Sequence, residues 1–163
     1  FSGLFVLFTF FLAGCGFQLK GTPGDLDSSS LTGTEVVLIS RQPRGELTTA
    51  LRAQLRLQGA VLSEETSEGL VLQLGEERFQ QRNLSLTAQA RAAEVELTMM
   101  ASLAVNQGAV ELIMNTDAQV VRQFLNDPLN VVGKTEELRL LREEMREDLA
   151  AQMIRRITHS LGN

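Results

Sequence analysis

The side chains that could perform nucleophilic or metal chemistry are few in this chain. Its 163 residues include one cysteine, Cys15, and one histidine, His159, with no tryptophan or tyrosine. A single cysteine cannot form a disulfide within the chain, and one Cys with one His cannot build a zinc site. His159 lies near the end of a predicted terminal helix, a poor place for a catalytic base. We therefore predict a surface histidine at a helix C-terminus, with no metal site and no catalytic residues.

Cys15 follows an apolar segment and sits among small residues. Residues 1–12 contain no charge and only two hydroxyl side chains, Ser2 and Thr9. A bilayer-spanning helix needs about 20 apolar residues, whereas this shorter run fits the hydrophobic region of a secretory signal. The tetrapeptide Leu12-Ala13-Gly14-Cys15 resembles the lipobox of bacterial lipoproteins, in which the signal is cut before a lipidated cysteine. A buried cysteine in a first strand is the alternative.

The lipobox interpretation divides the chain into three parts. We expect residues 1–14 to be a lipoprotein signal peptide that is N-terminally incomplete, and 15–34 to be a lipidated tether that could include a short first strand. Residues 35–163 are predicted to form a single α+β domain. No cofactor is expected apart from the N-acyl and S-diacylglycerol lipid on Cys15, and several acyl chains on one residue give stable anchoring. Gly16, rather than aspartate, follows the cysteine, which in Gram-negative lipoproteins implies sorting to the outer membrane.

The charge pattern argues against nucleic-acid binding and against acid–base catalysis. The net charge is −5, whereas a general nucleic-acid binder needs a basic surface to displace counterions. The acidic run EEMRED at residues 143–148 interleaves with Arg142 and Arg146 at pair-forming helical spacings. It lies opposite an apolar stripe, so we predict a solvated helix face rather than a pair of catalytic carboxylates.

Hydrophobic periodicity predicts the order β-α-β-β-β-α. Residues 36–39 form a buried-type strand, and a helix follows with one apolar stripe and a natural stop at Gly59. Three strands follow, in the segments GLVLQLGEERFQ, AEVELTMMASLAV and AVELIMNTDAQVVRQF, the last two joined by a turn at residues 106–108. The final helix is predicted to begin near Thr135, which can cap it. The stripes comprise Leu47, Leu51 and Leu55 in the first helix, and Leu138, Leu141, Met145, Leu149, Met153 and Ile157 in the second.

These elements favour one architecture. A strand pair with one apolar and one polar face suits a sheet that is covered on one side only. Two helices on the apolar face complete such a fold. The predicted class is therefore α+β, a two-layer sandwich with a mostly antiparallel four-stranded sheet and two helices on one face.

Three stretches of the chain resemble one protein family. LAGCGFQLKGT at residues 12–22 looks like the lipidation site and first mature residues of the LPS-assembly lipoproteins, the LptE family. LRAQLRLQG at residues 51–59 is similar to that family's first helix, in which a basic residue and QLRL.G recur. Residues 120–157 resemble its last strand, an Asn-Pro break and a long second helix. The likeness spans nearly all of residues 15–163.

The resemblance implies an outer-membrane lipoprotein that is not an enzyme. Members of this family plug an LptD-type β-barrel one to one from the periplasmic side, support assembly of the barrel, and bind lipopolysaccharide during its delivery to the outer leaflet. A plug needs a polar exterior, because large barrels have polar interiors. The polar strand face could meet such a wall, with ordinary solvent exposure as the alternative. It comprises Glu94, Glu96, Thr98, Ser102, Glu111, Asn115 and Asp117.

The resemblance also implies basic residues that bind lipopolysaccharide, whose phosphates call for Arg or Lys beside apolar surface. Lys134, predicted in a loop just before a helix N-terminus, matches a basic position of the family pattern; a solvated loop lysine is the alternative. A second basic position aligns with Ala88, so we predict Arg91, three residues on, in its place. Further candidates on neighbouring strands are Arg78, Arg82 and Arg122.

The alternative function is that of another periplasm-facing accessory lipoprotein. Pilotins and cofactors of barrel assembly or of cell-wall synthesis share the anchor and a small folded part. The lipobox fits them equally well, and only the downstream stretches favour the LptE family.

Overall fold

The computed structural model describes residues 31–65, 68–86, 92–125 and 131–162. The predicted signal peptide, Cys15 and most of the tether lie outside these residues. The described part contains six strands and two helices, which follow one another as β1 (Glu35–Ser40), α1 (Glu46–Leu57), β2 (Val61–Ser63), β3 (Leu70–Leu74), β4 (Arg78–Leu86), β5 (Ala92–Gln107), β6 (Val110–Leu125) and α2 (Val131–Leu161).

The strands form one mixed sheet. β1 pairs in parallel with β2 and β3, and β3 pairs antiparallel with β5. β5 pairs antiparallel with β4 along one edge and with β6 along the other. β3 and β4 therefore occupy the same edge of β5 in succession, β3 against residues 103–107 and β4 against residues 92–100.

The fold class α+β is confirmed, but the sheet has six strands rather than the predicted four, and it is mixed because β1 pairs in parallel with β2 and β3. The helix α1 carries the chain back to the end of the sheet where β1 began, so β2 runs parallel to β1. β3 is also parallel to β1, on its other edge. Periodicity cannot detect β2, which is only three residues long. The segment predicted as one strand over GLVLQLGEERFQ is divided into β3 and β4.

Gly75 lies at this division. Its amide N–H donates to the Ser102 carbonyl oxygen at 2.9 Å, and a Cβ atom at this position would overlap the Ser102 Oγ atom. A side chain at position 75 would require the Ser102 hydroxyl to rotate away, whereas glycine allows this close approach directly. β3 ends at Leu74, directly before Gly75, and β4 begins at Arg78.

The predicted stop of α1 at Gly59 is confirmed. Gly59 has φ +79°, its N–H donates to the Arg56 carbonyl at 2.9 Å, and the Ala60 N–H donates to the Leu55 carbonyl at 3.0 Å. These two bonds form a Schellman motif, which requires the left-handed conformation that glycine adopts without strain. Gly108, with φ +56°, confirms the predicted turn between β5 and β6 in the same way.

The predicted N-cap of α2 at Thr135 is wrong, because the helix already includes residues from Val131 onward. The start of α2 was predicted from an apolar stripe that begins at Leu138. The stripe gives no information on a helical turn that precedes it. The stripe itself is confirmed. Leu138 and Leu141 are half-buried, and the four members from Met145 to Ile157 are fully buried.

The core lies between the helices and one face of the sheet. β5 alternates as predicted, and the odd-numbered residues from Val95 to Val105 are 2% exposed or less. They pack in one cluster with residues of β1, β3, α1 and α2. Burial of this apolar surface is the main stabilising term, at roughly 25 cal/mol per Å².

Candidate functional site

Arg78 and Arg82 share the face of the sheet that points away from the helices. In the β4–β5 register Arg78 lies opposite Met100 and Arg82 opposite Glu96, whereas Phe79 between them lies opposite buried Met99. Since directly opposed residues of antiparallel strands point to the same side, both arginines are on the open face. The structure brings these two candidates together.

Both arginines are already paired with carboxylates. The Arg78 Nη2 atom is 2.9 Å from Asp117 Oδ2, and the Arg82 Nη2 atom is 2.9 Å from Glu96 Oε1. The arginine side chains are 52% and 71% exposed. The Asp117 side chain is 56% exposed, so the Arg78–Asp117 pair contributes about 0–1 kcal/mol and a phosphate can replace that carboxylate at little cost. The Glu96 side chain is only 22% exposed, so displacing it from Arg82 costs more.

Arg122 lies on the opposite face. It is paired in register with buried Leu97, so it points toward the helices, and its guanidinium forms an ion pair with Asp148 of α2. It therefore links β6 to α2 and does not join Arg78 and Arg82. Sequence reasoning could place Arg122 on a neighbouring strand but not on a particular face.

Lys134 lies within α2 rather than in a loop before it, and it is half-buried. It forms no ion pair with any residue of the described ranges. Arg91 lies outside the described residues, directly before Ala92, where β5 begins.

The topology places Arg82 toward one end of the sheet, which we call the hairpin end. β4 ends there and β5 begins, because Ser85 pairs with Glu94. β6 ends there too, because Leu125 pairs with Glu94 from the other side. Leu125 is 74% exposed and Leu84 is 39% exposed. The hairpin end thus combines cationic and apolar side chains, which is what a phosphorylated lipid requires.

The predicted polar face is present but incomplete. Glu94 and Asp117 are exposed on the open face, and Glu96, Thr98 and Ser102 are half-buried on it. Apolar side chains interrupt it, notably Val121, which is 42% exposed opposite Thr98. Two register shifts between β5 and β6 fall near Asn115 and Glu111, so strict alternation does not describe that part of β6.

Sequence reasoning missed a charged junction around Arg146. Its Nε atom is 2.9 Å from Glu77 Oε1, and its Nη1 atom is 2.5 Å from Glu46 Oε2. The Arg146 and Glu77 side chains are only 20% and 13% exposed. Arg146 therefore connects α2, the β3–β4 connection and the first residue of α1.

Through Glu77, the charged junction continues into a hydrogen-bonded network around the start of α1. The Glu77 N–H donates to Gln42 Oε1 at 3.2 Å, and the Gln42 N–H donates to Ser40 Oγ at 3.0 Å. Thr48, which is 1% exposed, donates through its hydroxyl to the Gln42 carbonyl at 2.7 Å. Satisfied polar groups of this kind fix the geometry of a loop, so the network holds the β1–α1 loop in place.

The rest of the acidic face of α2 is solvated, as predicted. Arg139 pairs with Glu136 at 2.7 Å and with Glu143 at 3.1 Å, and all three side chains are more than half exposed. The hydrogen bond from Arg139 lowers the pKa of Glu136 below its ordinary value. These residues line an open groove of about 820 Å³ between α1 and α2, where the Arg142 guanidinium lies 4.2 Å from the centre of the Phe79 ring.

Within the described ranges, no group of three or more His, Cys, Asp or Glu side chains could hold a metal ion. Neither α1 nor α2 is long and apolar enough to cross a bilayer. His159 is exposed near the end of α2, as predicted.

Comparison with a solved structure shows which class of protein shares this fold. The crystal structure of the rare lipoprotein B from Shewanella oneidensis superimposes with a TM-score of 0.69 and 28% sequence identity, covering 75% of this chain and 92% of the other. The fold is thus that of a small α+β lipoprotein.

Two sequence relatives, both named LPS-assembly lipoprotein LptE, are 32% identical (Photorhabdus laumondii) and 33% identical (Pectobacterium atrosepticum). Each alignment covers 95% of this chain and 81% of the relative.

The family follows from a match over most of the chain. The model of the LptE family, described as lipopolysaccharide-assembly, matches residues 34–157. The chain therefore belongs to the LptE family, and the resemblance inferred from three short stretches is confirmed.

Proposed function

We propose that this protein is an outer-membrane lipoprotein, anchored through lipids on Cys15, that works with an LptD-type barrel in lipopolysaccharide assembly. The observation that carries the proposal is the match to the LptE family over residues 34–157, together with relatives named LPS-assembly lipoprotein LptE. In this proposal residues 1–14 are the signal peptide, and the folded part plugs the barrel lumen one to one. The role is structural and ligand-binding rather than enzymatic.

The open sheet face supports the plugging role. It carries the ion pairs Arg78–Asp117 and Arg82–Glu96 and further exposed polar side chains on three long strands. Such a face is compatible with the polar interior of a large barrel, where an extended apolar face would not be. The helices cover the other face and give the plug a closed core.

The hairpin end and Lys134 support the ligand-binding role. Lys134 has no carboxylate partner among the described residues, and the Arg82 side chain is largely exposed despite its ion pair with Glu96. Phosphate competes well for such a guanidinium, because the planar fork of arginine binds two phosphate oxygens at once. We propose Arg82 and Lys134 as the first candidates for ligand contact, with Arg91 as a candidate from the family resemblance alone and Arg78 farther along the face that carries Arg82. Arg122, which links β6 to α2, is the weakest of the five candidates.

Co-purification tests the partnership. A tagged chain expressed in its native envelope should purify with one equivalent of an LptD-type barrel, and depleting the chain should reduce the amount of assembled barrel. A tagged envelope lipoprotein of another family serves as the control. Stable association with a secretin or a cell-wall synthase in place of the barrel would contradict the proposal.

A further inference from the structure

The strand β2 lies at one edge of the sheet, and within the described ranges its outer edge pairs with no other strand. Its three residues pair in register only with β1, from Glu35 to Val37. An open strand edge presents backbone N–H and C=O groups to which another extended segment can bind. β2 therefore offers a place where one more short strand can join the sheet.

The side chains around this edge are apolar and incompletely covered. Leu62 pairs in register with buried Val36, so it points toward the helices, yet it is only half-buried. Leu57, in the last turn of α1, is 76% exposed, and Val61 is 52% exposed. We call Leu57, Val61 and Leu62 the β2 corner. Covering such a corner removes apolar surface from water and is favourable.

The chain that comes from Cys15 enters the fold beside the β2 corner. The Gly33 N–H donates to the Gly59 carbonyl at 2.9 Å, and the Val61 N–H donates to the Thr34 carbonyl at 2.9 Å. Leu31, where the described chain begins, is fully buried in the core. The segment before Leu31 therefore starts next to β2. The strand β6 lies on the other side of β5 from β3 and β1, and β4 extends toward the hairpin end.

The sequence between Cys15 and Leu31 divides into two parts. GTPGDLDSSS at residues 21–30 has the Gly, Pro and Ser content of a linker and one apolar side chain, Leu26. GFQLK at residues 16–20 alternates instead, so that in an extended segment Phe17 and Leu19 share one side and Gln18 the other. A linker gains nothing from this pattern, whereas a strand at the edge of a half-covered sheet requires it.

We propose that residues 16–20 add a short strand to the outer edge of β2, with Phe17 and Leu19 packed on Leu57 and Leu62. Residues 21–30 and the bonds at either end allow about 38 Å at 3.5 Å per residue between Lys20 and Leu31. β2 is only about 10 Å long at 3.3 Å per residue, so the segment reaches the whole edge.

Charge and connectivity both favour this segment as the occupant of the edge. Glu64 and Glu65 directly follow β2 and are exposed, and Lys20, one of two lysines in the chain, directly follows the alternating residues. A segment joined by a short linker is present at an effective concentration in the millimolar range, which a second copy of the chain does not reach in dilute solution.

The added strand would shorten the tether of the anchored protein, a consequence that rests on the proposed lipid attachment at Cys15. Without docking, 16 residues separate Cys15 from Leu31, a span of at most about 55 Å at 3.5 Å per residue. With docking, Cys15 is two residues from Phe17, or about 7 Å. A tether this short fixes the height of the fold relative to its anchor, which suits a plug that must occupy one position in a barrel.

Hydrogen exchange read by mass spectrometry tests the docking on the full lipoprotein purified in detergent. The intact mass of the same sample reports the lipids on Cys15, so failure of the anchor and failure of the docking are separate results. We expect the amides of residues 17–20 to exchange about 10- to 100-fold more slowly than in an unstructured peptide, and those of residues 24–30 at close to the unstructured rate. Residues 17–20 exchanging at that rate would overturn the proposal.

Two variants of the tether isolate the apolar contact. Phe17→Ser/Leu19→Ser should abolish the protection of residues 17–20 and speed exchange in β2 by about tenfold. Leu26→Ser removes an apolar side chain from the linker instead and should change neither rate. Far-ultraviolet circular dichroism verifies that both variants are folded. Equal effects of the two variants would contradict a specific contact with the β2 corner.

A third variant separates docking on β2 from contact with detergent or with a barrel. The mature chain with Cys15→Ser carries no lipid and is measured in buffer without detergent. We expect the same protection of residues 17–20 in this sample. Protection that is lost without detergent, or that returns only when a barrel is added, would overturn the proposal, because the segment would then bind the micelle or the partner.

Discussion

At the scale of single residues, Arg146 shows how the position of a charged side chain decides how much it contributes to stability. It lies in the same acidic run as Arg142, yet Arg142 is exposed and packs on the Phe79 ring, whereas Arg146 is largely buried between two glutamates. Three elements meet at its guanidinium. The junction therefore fixes how α1, α2 and the β3–β4 connection sit relative to one another.

Replacing Arg146 should cost far more stability than replacing an exposed arginine. Arg146→Ala leaves the Glu77 carboxylate, 13% exposed, without its partner, and we expect the free energy of unfolding to fall by about 2 kcal/mol. Arg139→Ala, which removes two exposed pairs, should lower it far less. Urea unfolding measures both. Equal effects would show that the junction contributes no more than a surface pair.

At the scale of elements, the break between β3 and β4 lets one edge of β5 serve two strands. β3 continues the parallel group of β1 and β2, and β4 extends along the first half of β5. Gly75 lies at the break, where a Cβ atom would overlap the Ser102 hydroxyl as it is now oriented. The positions of Arg78 and Arg82 depend on this break, because the break sets where β4 starts and which β4 residues point away from the helices.

Gly75→Ala should therefore destabilise the protein through a specific contact. The added methyl overlaps the Ser102 Oγ atom, and we expect a loss of about 1–3 kcal/mol in thermal or urea unfolding. The double variant Gly75→Ala/Ser102→Ala removes that oxygen and should recover part of the loss. Ser102→Ala alone is the matched control. If the two changes simply add, the close approach of Gly75 to β5 is not the cause.

At the scale of the whole molecule, α1 and the hairpin end lie at different parts of the sheet. α1 lies between β1 and β2 near the start of the described chain, and the hairpin end lies where β4 and β6 finish. Three long strands and the core between them join the two. A change at one end should therefore leave the other intact.

Lys134→Asp tests the proposed ligand-binding role. We expect about tenfold weaker binding of fluorescently labelled lipopolysaccharide, because a charge-assisted contact to phosphate becomes a repulsion. Co-purification with the barrel should stay within twofold of the unchanged protein. Lys134→Arg, which keeps the charge, is the control and should bind labelled lipopolysaccharide normally. Unchanged binding by Lys134→Asp would remove this residue from the proposed site.

The sequence by itself determined the local features of this protein. The stripe Leu47, Leu51 and Leu55, the stop at Gly59 and the alternation of β5 were all predicted correctly, because periodicity and backbone conformation depend on neighbouring residues. The three stretches that resemble the LptE family also led to the correct family. These signals need no knowledge of which strands become neighbours.

Only the tertiary structure decided what depends on strand order and register. It made the sheet mixed and six-stranded, put Arg122 on the helix side and Arg78 on the open side, and buried Arg146 between two glutamates. It also left four arginines of α1 and its loop without a carboxylate partner among the described residues. The partners of a charge are set by contacts between residues far apart in the chain, and no local pattern encodes them.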